Sequence, residues 1–250
     1  MAISKNTIKY LRSLSLKKYR QKYNNFVVEG DKMARELLAS APERLIALYA
    51  LESWLKNTGP FPEGKAFAVS EQELAKISSL NTPNQAVAVA SIQETSIDAQ
   101  ILQNGLSLYL DGIQDPGNFG TIMRIADWFG IAYVICAPSC VDPYNPKAIQ
   151  ASMGAFLRVK VVEQNLESVC RLGPGLPVYG AAMDGANVFS APISGVGVIV
   201  IGNEGNGISA AAERWLTNRI AIPAAAGGGA ESLNAAVAAG ILCAVFRNKL

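Results

Sequence analysis

Apolar positions in the first ninety residues fall in short blocks whose period switches between strand and helix. FVVE at 26–29 is a compact apolar run, and DKMARELLAS at 31–40 follows with apolar residues at helical spacing. Next come RLIALYA (44–50), a polar helix start at Glu52, AFAVS (66–70), EQELAKISSL (71–80) and AVAVASI (86–92). Alternating runs of this kind predict a small α/β domain. Asp31 and Ser70 stand where N-caps belong, and Pro42, Gly59, Pro60, Pro62 and Gly64 punctuate the connections. SIDAQILQNG (96–105) reads as a linker or connecting helix.

The pattern restarts at Leu106 with strand LSLYL, a Gly/Pro/Asn turn, helix NFGTIMRIADWFG (118–130), strand AYVICA (132–137) and an interrupted helix reaching about Gly154. Further strands are expected at FLRVKVV (156–162), LPVYGAA (176–182), GVIVIG (197–202) and RIAIP (219–223), with a last helix from about Ser232 into Phe246. Near-continuous apolar strands separated by helices argue for a mostly parallel sheet covered on both faces. The organisation expected is a basic helical arm (1–22), a small α/β domain (23–92), a linker (93–104) and a larger α/β domain (105–250).

Composition sharpens this picture in three ways. With 50% hydrophobic and 17% charged residues, the 250-residue chain belongs with compact folded proteins. It has no apolar run near the roughly 20 residues of a membrane-spanning helix, and its N-terminus lacks the apolar core of a signal peptide, so a cytoplasmic protein is expected. His is absent, and Cys136, Cys140, Cys170 and Cys243 form no paired C-x-x-C motif, so no metal site is expected and the four thiols read as buried. Catalysis that relies on imidazole is excluded. Charge is uneven: residues 1–22 carry seven basic side chains and no acid, leaving 15 basic against 20 acidic residues elsewhere. Such an arm suits phosphate contact, although Ile8, Leu11, Leu14 and Leu16 would equally let one helical face dock on the body.

In a parallel sheet, ligands collect beyond the carboxyl ends of the strands, where three loops stand out. In LDGIQDPGNFGTIMRIADWFG (110–130), Gly112, Pro116 and Gly117 shape a turn, Asn118 can cap the helix and Arg124 lies inside it. In VGVIVIGNEGNGIS (196–209), an apolar strand runs into Gly202, Asn203, Glu204, Gly205, Asn206 and Gly207 before a helix opened by Ser209. This is not the G-x-G-x-x-G phosphate loop, and the acid within it favours a neutral or cationic ligand. In RIAIPAAAGGGAESLNAAVAAGILCAVF (219–246), Pro223 stops a strand, three glycines free the loop, and Ser232, a candidate N-cap, and Asn234 precede a small-residue helix. Singly, each loop also reads as an ordinary turn.

In this order the three loops resemble the motifs of the SpoU/TrmH family of S-adenosylmethionine-dependent RNA 2′-O-ribose methyltransferases, within the knotted SPOUT superfamily. N-x-G-x-x-x-R is matched by Asn118, Gly120 and Arg124, and G-x-E-x-x-G-I by Gly202, Glu204, Gly207 and Ile208. The third motif is matched by Ile222, Pro223, Ser232, Leu233 and Asn234, with Ala224 where the family usually has Met and Ala236 where it often has Ser. NPKAIQASMGAFLRV (145–159) looks like the family's ASMGA segment, and FVVEGDKMARELL looks like the start of an L30e-like substrate-binding domain, so the likeness covers nearly the whole chain.

The resemblance implies a C-terminal trefoil knot, a homodimer, an RNA partner and S-adenosylmethionine as cofactor. It assigns Gly202, Ile222 and Leu233 to cofactor binding, with Ala181 a further candidate, and makes Arg124 catalytic, served by Asn118, Glu204, Ser232 and Asn234. Glu204 is expected to pair with Arg124. Large-subunit ribosomal RNA is the substrate the domain pairing implies, with transfer RNA as the alternative. Two further classes stay open: a non-catalytic RNA-binding or ribosome-assembly factor of the same fold, and a nucleotide-dependent enzyme of ordinary doubly wound topology.

Overall fold

The computed structural model describes residues 3–225, 227, 229 and 231–249, which divide into two compact units. The first comprises the chain up to Glu94 together with Tyr144–Leu157, and the second the remainder.

The first unit opens with helices α1 (Lys5–Ser13) and α2 (Lys17–Tyr23), followed by β1 (Asn25–Glu29), α3 (Asp31–Ser40), β2 (Leu45–Leu51), α4 (Glu52–Thr58), β3 (Ala66–Val69), α5 (Glu71–Ile77) and β4 (Ala86–Ser91). Its sheet has the order β1-β4-β2-β3, antiparallel except for β2 with β3. Leu11 and Leu14 are buried in one apolar cluster with Val27, Leu74, Ile77 and Val87, which fastens the basic N-terminal segment to the sheet while Lys5, Lys9, Lys18 and Lys22 remain exposed. Buried Arg20 reinforces the hairpin by donating to the Leu14 carbonyl at 2.7 Å.

Ser70 caps α5 in a full capping box with Glu73. Asp31 is not a cap, because the helix begins on it after Gly30, whose φ of 101° only glycine adopts readily. The Asp31 carboxylate instead accepts from the Trp54 indole and from Arg35, and these hydrogen bonds hold it below its ordinary pKa.

In the second unit, α6 (Ala99–Asn104), capped by Asp98, occupies the expected linker and leads into β5 (Leu106–Asp111), α7 (Pro116–Phe129) and β6 (Val134–Cys136). The chain then joins the first unit as α8 (Pro146–Ser152), returning for β7 (Val161–Glu163), α9 (Leu166–Leu172), β8 (Val178–Asn187), β9 (Gly197–Gly202), α10 (Ala210–Glu213), β10 (Asn218–Ala221) and α11 (Ala235–Arg247). Phe26 explains why Tyr144–Leu157 groups with the first unit: its ring lies 4.8 Å from that of Tyr144 and 5.6 Å from that of Phe156. The strand expected across 156–162 is confined to Val161–Glu163, because left-handed Met153 and Gly154 turn the backbone into a short 3-10 helix at Ala155–Leu157.

The six-stranded sheet runs β10-β8-β9-β5-β6-β7 with every pair parallel, the mixed α/β arrangement expected for this half. Every residue of β5 is buried, as are the first five of β9, which accounts for their unbroken apolar sequences. Because β5 and β9 are neighbours in register, with Asp111 opposite Gly202, the loops that follow them leave the sheet side by side.

Candidate active site

The first loop is shaped by Gly112 at φ 77° and ends in Asp115, which caps α7 by accepting from the Asn118 N–H at 2.7 Å, with Pro116 in the first turn. Asn118 is therefore not the cap expected from sequence. It is the third residue of the helix, within the first turn, with its side chain turned across to the other loops.

The second loop folds tightly after β9. Asn203 and Gly207 exchange two backbone hydrogen bonds of 2.9 Å, and Asn203 Oδ1 accepts from the N–H groups of Gly205 and Asn206. Asn203 Nδ2 donates to the Gly112 carbonyl at 2.8 Å, and Asp111 Oδ2 accepts from the Ser209 N–H at 2.6 Å, so two contacts tie this loop to the first. Ser209 caps α10, as its position suggested. Gly202 cannot carry a side chain, since a Cβ there would lie 2.4 Å from the Gly207 carbonyl carbon.

The third loop leaves β10 at Ala221 and reaches α11 through Asn234, which caps that helix by accepting from Ala236 and Val237 N–H groups at 3.0 and 3.2 Å. The cap is Asn234, not Ser232. Of the glycine-rich stretch, Ala226, Gly228 and Ala230 lie outside the described residues.

Glu204 joins all three loops. Its Oε1 accepts from Asn118 Nδ2 at 2.6 Å, from Asn234 Nδ2 at 3.0 Å and from the Ala235 N–H at 3.4 Å, while Asn234 Nδ2 also donates to Asn118 Oδ1 at 2.9 Å. A carboxylate at the N-terminus of α11 also complements the helix dipole. The expected Glu204–Arg124 pair is not among the contacts of the described residues. Arg124 is exposed on α7, six residues beyond Asn118, which leaves the two side chains about 120° apart around the helix axis, so its side chain leaves from another face.

Beside this junction lies a cavity of about 620 Å³, within the range of small-molecule sites. Gly202, Ile222, Leu233 and Ala181 line it, as do Glu204 and Ser232, whereas Asn118, Asn234 and Arg124 do not. One wall comes from an irregularity in sheet pairing: the register of β8 with β10 passes from Gly180 opposite Arg219 to Ala186 opposite Ile220, so residues 181–185 form a bulge within β8. Gly185 permits this, since a Cβ there would fall 2.5 Å from the Ile220 backbone.

Sequence reasoning gave no role to Asp111, Asp115 and Asn203, which organise the loops, or to the charged group of Asp184, Glu213 and Arg219, in which Arg219 bridges the two carboxylates at 2.8 and 3.2 Å. Asp115 had a usable signal, an Asp-Pro pair three residues ahead of Asn118. The cavity thus presents carboxylates from Asp184, Glu204 and Glu213 against one guanidinium, among apolar side chains such as Ile201, Ile208 and Ile220. That balance suits a positively charged ligand. Nearby thiols are poor nucleophiles: burial raises the pKa of Cys140, whose Sγ donates to the Leu110 carbonyl, and pushes Cys243 up to about 12. Among the described residues no cluster of His, Cys, Asp and Glu could hold a metal ion, and no helix is long and apolar enough to cross a membrane.

Residues 105–244 match the model of the SpoU rRNA methylase family, and residues 5–88 that of the MRM3-like substrate-binding domain. The chain is 32% identical over 239 residues to the 23S rRNA (guanosine(2553)-2′-O)-methyltransferase RlmP of Bacillus subtilis, covering 94% of this chain and 93% of the relative. Among solved structures, a protein from Porphyromonas gingivalis assigned to the TrmH family of RNA methyltransferases superposes with a TM-score of 0.90 at 37% identity, with full coverage of both chains. An AdoMet-bound rRNA methyltransferase from Sinorhizobium meliloti superposes with a TM-score of 0.84 at 25% identity, covering 100% of this chain and 97% of that one. The motifs that meet at Glu204 and the match over residues 105–244 lead to one assignment: the chain belongs to the SpoU rRNA methylase family.

Proposed function

We propose that this chain transfers a methyl group from S-adenosylmethionine to a ribose 2′-hydroxyl of RNA in the cytoplasm, with large-subunit ribosomal RNA as its substrate. The observation that carries this reading is the junction of Asn118, Glu204 and Asn234 beside a cavity whose charged lining is three carboxylates and one guanidinium. The substrate class follows the RlmP relative, to which the chain is similar over nearly its full length.

The cavity fits the cofactor on chemical grounds. S-adenosylmethionine carries a sulfonium and an ammonium against one carboxylate, so a lining with excess negative charge suits it and disfavours polyphosphates. The lining of Ala181, Gly202, Ile222 and Leu233 leaves backbone groups and apolar surface to recognise the adenosine, while a ligand carboxylate can exchange into the ion pairs of Arg219 and a ligand ammonium into those of Asp184 or Glu213. When bound, the cofactor supplies an electrophilic methyl carbon. Asn118 and Asn234 hold Glu204 at the cavity edge, and with Ser232 they offer hydrogen-bonding groups that orient the ribose. Arg124, which lies outside the cavity lining, takes its role from the family motif: it anchors RNA phosphate and stabilises negative charge developing on the ribose oxygen, because a guanidinium stays protonated and cannot serve as an ordinary base. Holding the reacting groups in line accounts for much of the acceleration.

Homodimer formation and the C-terminal knot belong to the same proposal. Trp128 on α7 is 84% exposed and Val237 on α11 is 51% exposed, two apolar side chains on adjoining helices that a second copy would cover. A division of labour tests the chemistry: Arg124→Ala should bind S-adenosylmethionine within about twofold of wild type by calorimetry, while losing at least about a hundredfold in transfer, the scale of one electrostatic contact made in the transition state. Loss of both properties together would refute it.

A further inference from the structure

Building on the reading of this chain as an RNA-modifying enzyme, we propose that helices α1 and α2 and the β2–β3 edge of the first unit's sheet form a platform for unpaired RNA nucleotides, rings stacking on bases and lysines holding phosphates. Five rings follow one another through this part of the unit. Tyr19 and Tyr23 lie 6.3 Å apart and nearly parallel at 13°, and Tyr23 meets Tyr10 edge-on at 5.1 Å. Tyr10 and Tyr49 pack against the same apolar cluster, and Tyr49 stacks on its cross-strand partner Phe67 at 5.4 Å and 22°.

These rings are not simply core. Tyr23 is 40% exposed and Phe67 45% exposed, although both could gain from burial. Tyr10 is fixed from behind, its hydroxyl accepting from Asn25 Nδ2 at 2.7 Å, which gives the exposed rings a rigid support.

The surrounding charge identifies the occupant. No acid precedes Glu29, and Lys5, Lys9, Lys18 and Lys22 are all exposed. Lys18 lies 5.0 Å from the Tyr19 ring centre and Lys22 5.5 Å from that of Tyr23. Such exposed cation–π contacts are weak, so the ammonium groups can turn to a phosphate. Glu73, the acid that meets the start of α1, is already engaged by the Ile3 N–H and by Ser70. Aromatic faces combined with unopposed lysines match the demands of a single strand, whose bases offer flat faces and whose backbone offers charge, better than those of a duplex with its bases stacked inside.

The test is a fluorescence-anisotropy titration of the full chain with a labelled single-stranded RNA of about 12 nucleotides and with its duplex, over a range of salt concentrations. Tyr23→Ala and, on a separate element, Phe67→Ser should each weaken single-strand binding about tenfold. Lys18→Gln combined with Lys22→Gln should lower the slope of log affinity against log salt by about 1.4. S-adenosylmethionine binding should be unchanged in all of them, and in transfer assays KM for RNA should rise with kcat nearly constant. Circular dichroism and thermal unfolding establish that each variant is folded. Folded ring variants that bind the single strand within twofold of wild type would overturn the proposal, as would equal affinity for duplex, or binding to anionic phospholipid vesicles in place of RNA. Wild-type protein that binds the strand through these residues but methylates no RNA would retire the methyltransferase reading and leave the platform standing. Normal methyl transfer by the ring variants with unchanged KM would do the reverse.

Discussion

Gly202→Ala is the substitution whose consequence follows most directly from the coordinates. Its Cβ would lie 2.4 Å from the Gly207 carbonyl carbon, 2.6 Å from the Gly207 oxygen and 2.6 Å from the Ile208 nitrogen. All three are backbone atoms, so no rotamer change relieves the clash, and the 203–207 turn must withdraw by about 1 Å to restore ordinary contact. That movement stretches the bonds from Asn118 and Asn234 to Glu204, now 2.6 and 3.0 Å, towards the limit of useful hydrogen bonding. Overpacking of this kind costs about 1–3 kcal/mol, which for a chain of this size lowers Tm by roughly 2–12 °C. Because the turn lines the cavity, S-adenosylmethionine affinity measured by calorimetry should fall about tenfold or more, the equivalent of about 1.4 kcal/mol. Gly205→Ala is the matched control in the same turn, since its Cβ would meet only Asn203 Oδ1 at 3.6 Å. It should leave Tm within about 1 °C and affinity within about twofold, as surface substitutions usually do. Equal behaviour of the two variants would refute the argument that close packing at Gly202 sets the cofactor loop.

Other expectations test separate parts of the structure. Asn234→Ala removes both the cap of α11 and two of the junction's hydrogen bonds, and thermal unfolding should show a loss of about 1–2 kcal/mol together with weaker cofactor binding. Gly154→Ala places a side chain at φ 94°, a backbone conformation that favours glycine, so chemical denaturation should report destabilisation of about 1–3 kcal/mol even though the Glu36 carboxylate can swing aside. The Asp31 carboxylate is held below its ordinary value of 3.8, chiefly by the Trp54 indole and then by Arg35. A depressed pKa contributes stability above that ordinary value and loses it as pH falls through the folded value, so Asp31→Asn should flatten the acid limb of a stability–pH curve by at most about 1 kcal/mol, solvent screening being considerable. Buried Cys136 and Cys243, with raised pKa values, should react with a thiol-directed disulfide reagent at neutral pH only on unfolding; prompt labelling in native protein would contradict their burial.

Local patterns in the sequence carried the elements well because strand and helix periods are set by burial. The unbroken apolar runs of β5 and β9 follow from their central positions, and Ser70 and Ser209 announce the helices they cap. Two caps were misread where suitable side chains stand three or fewer residues apart: Asp115 prevails over Asn118 because Pro116 opens the helix, and Asn234 prevails over Ser232. What one-dimensional reading could not supply is long-range pairing. Glu204 meets Asn118 because β9 lies beside β5, a consequence of strand order rather than of either motif. The strand expected at 176–182 stops short of the observed β8, which continues to Asn187 past a bulge at 181–185 that its pairing with β10 creates, and no local pattern names that partner. The packing of Tyr144–Leu157 with Phe26 was hidden for the same reason, since nothing in the local pattern names its distant partner.

The central claim is ribose methylation, and one measurement addresses it directly. Purified protein is incubated with labelled S-adenosylmethionine and undermodified ribosomal or transfer RNA, and the product is hydrolysed in alkali, which cannot cleave beside a 2′-O-methyl ribose. The account requires label in alkali-resistant dinucleotides of ribosomal RNA, reduced at least about a hundredfold by Arg124→Ala. Label released in mononucleotides would contradict it, placing the methyl group on a base instead of a ribose.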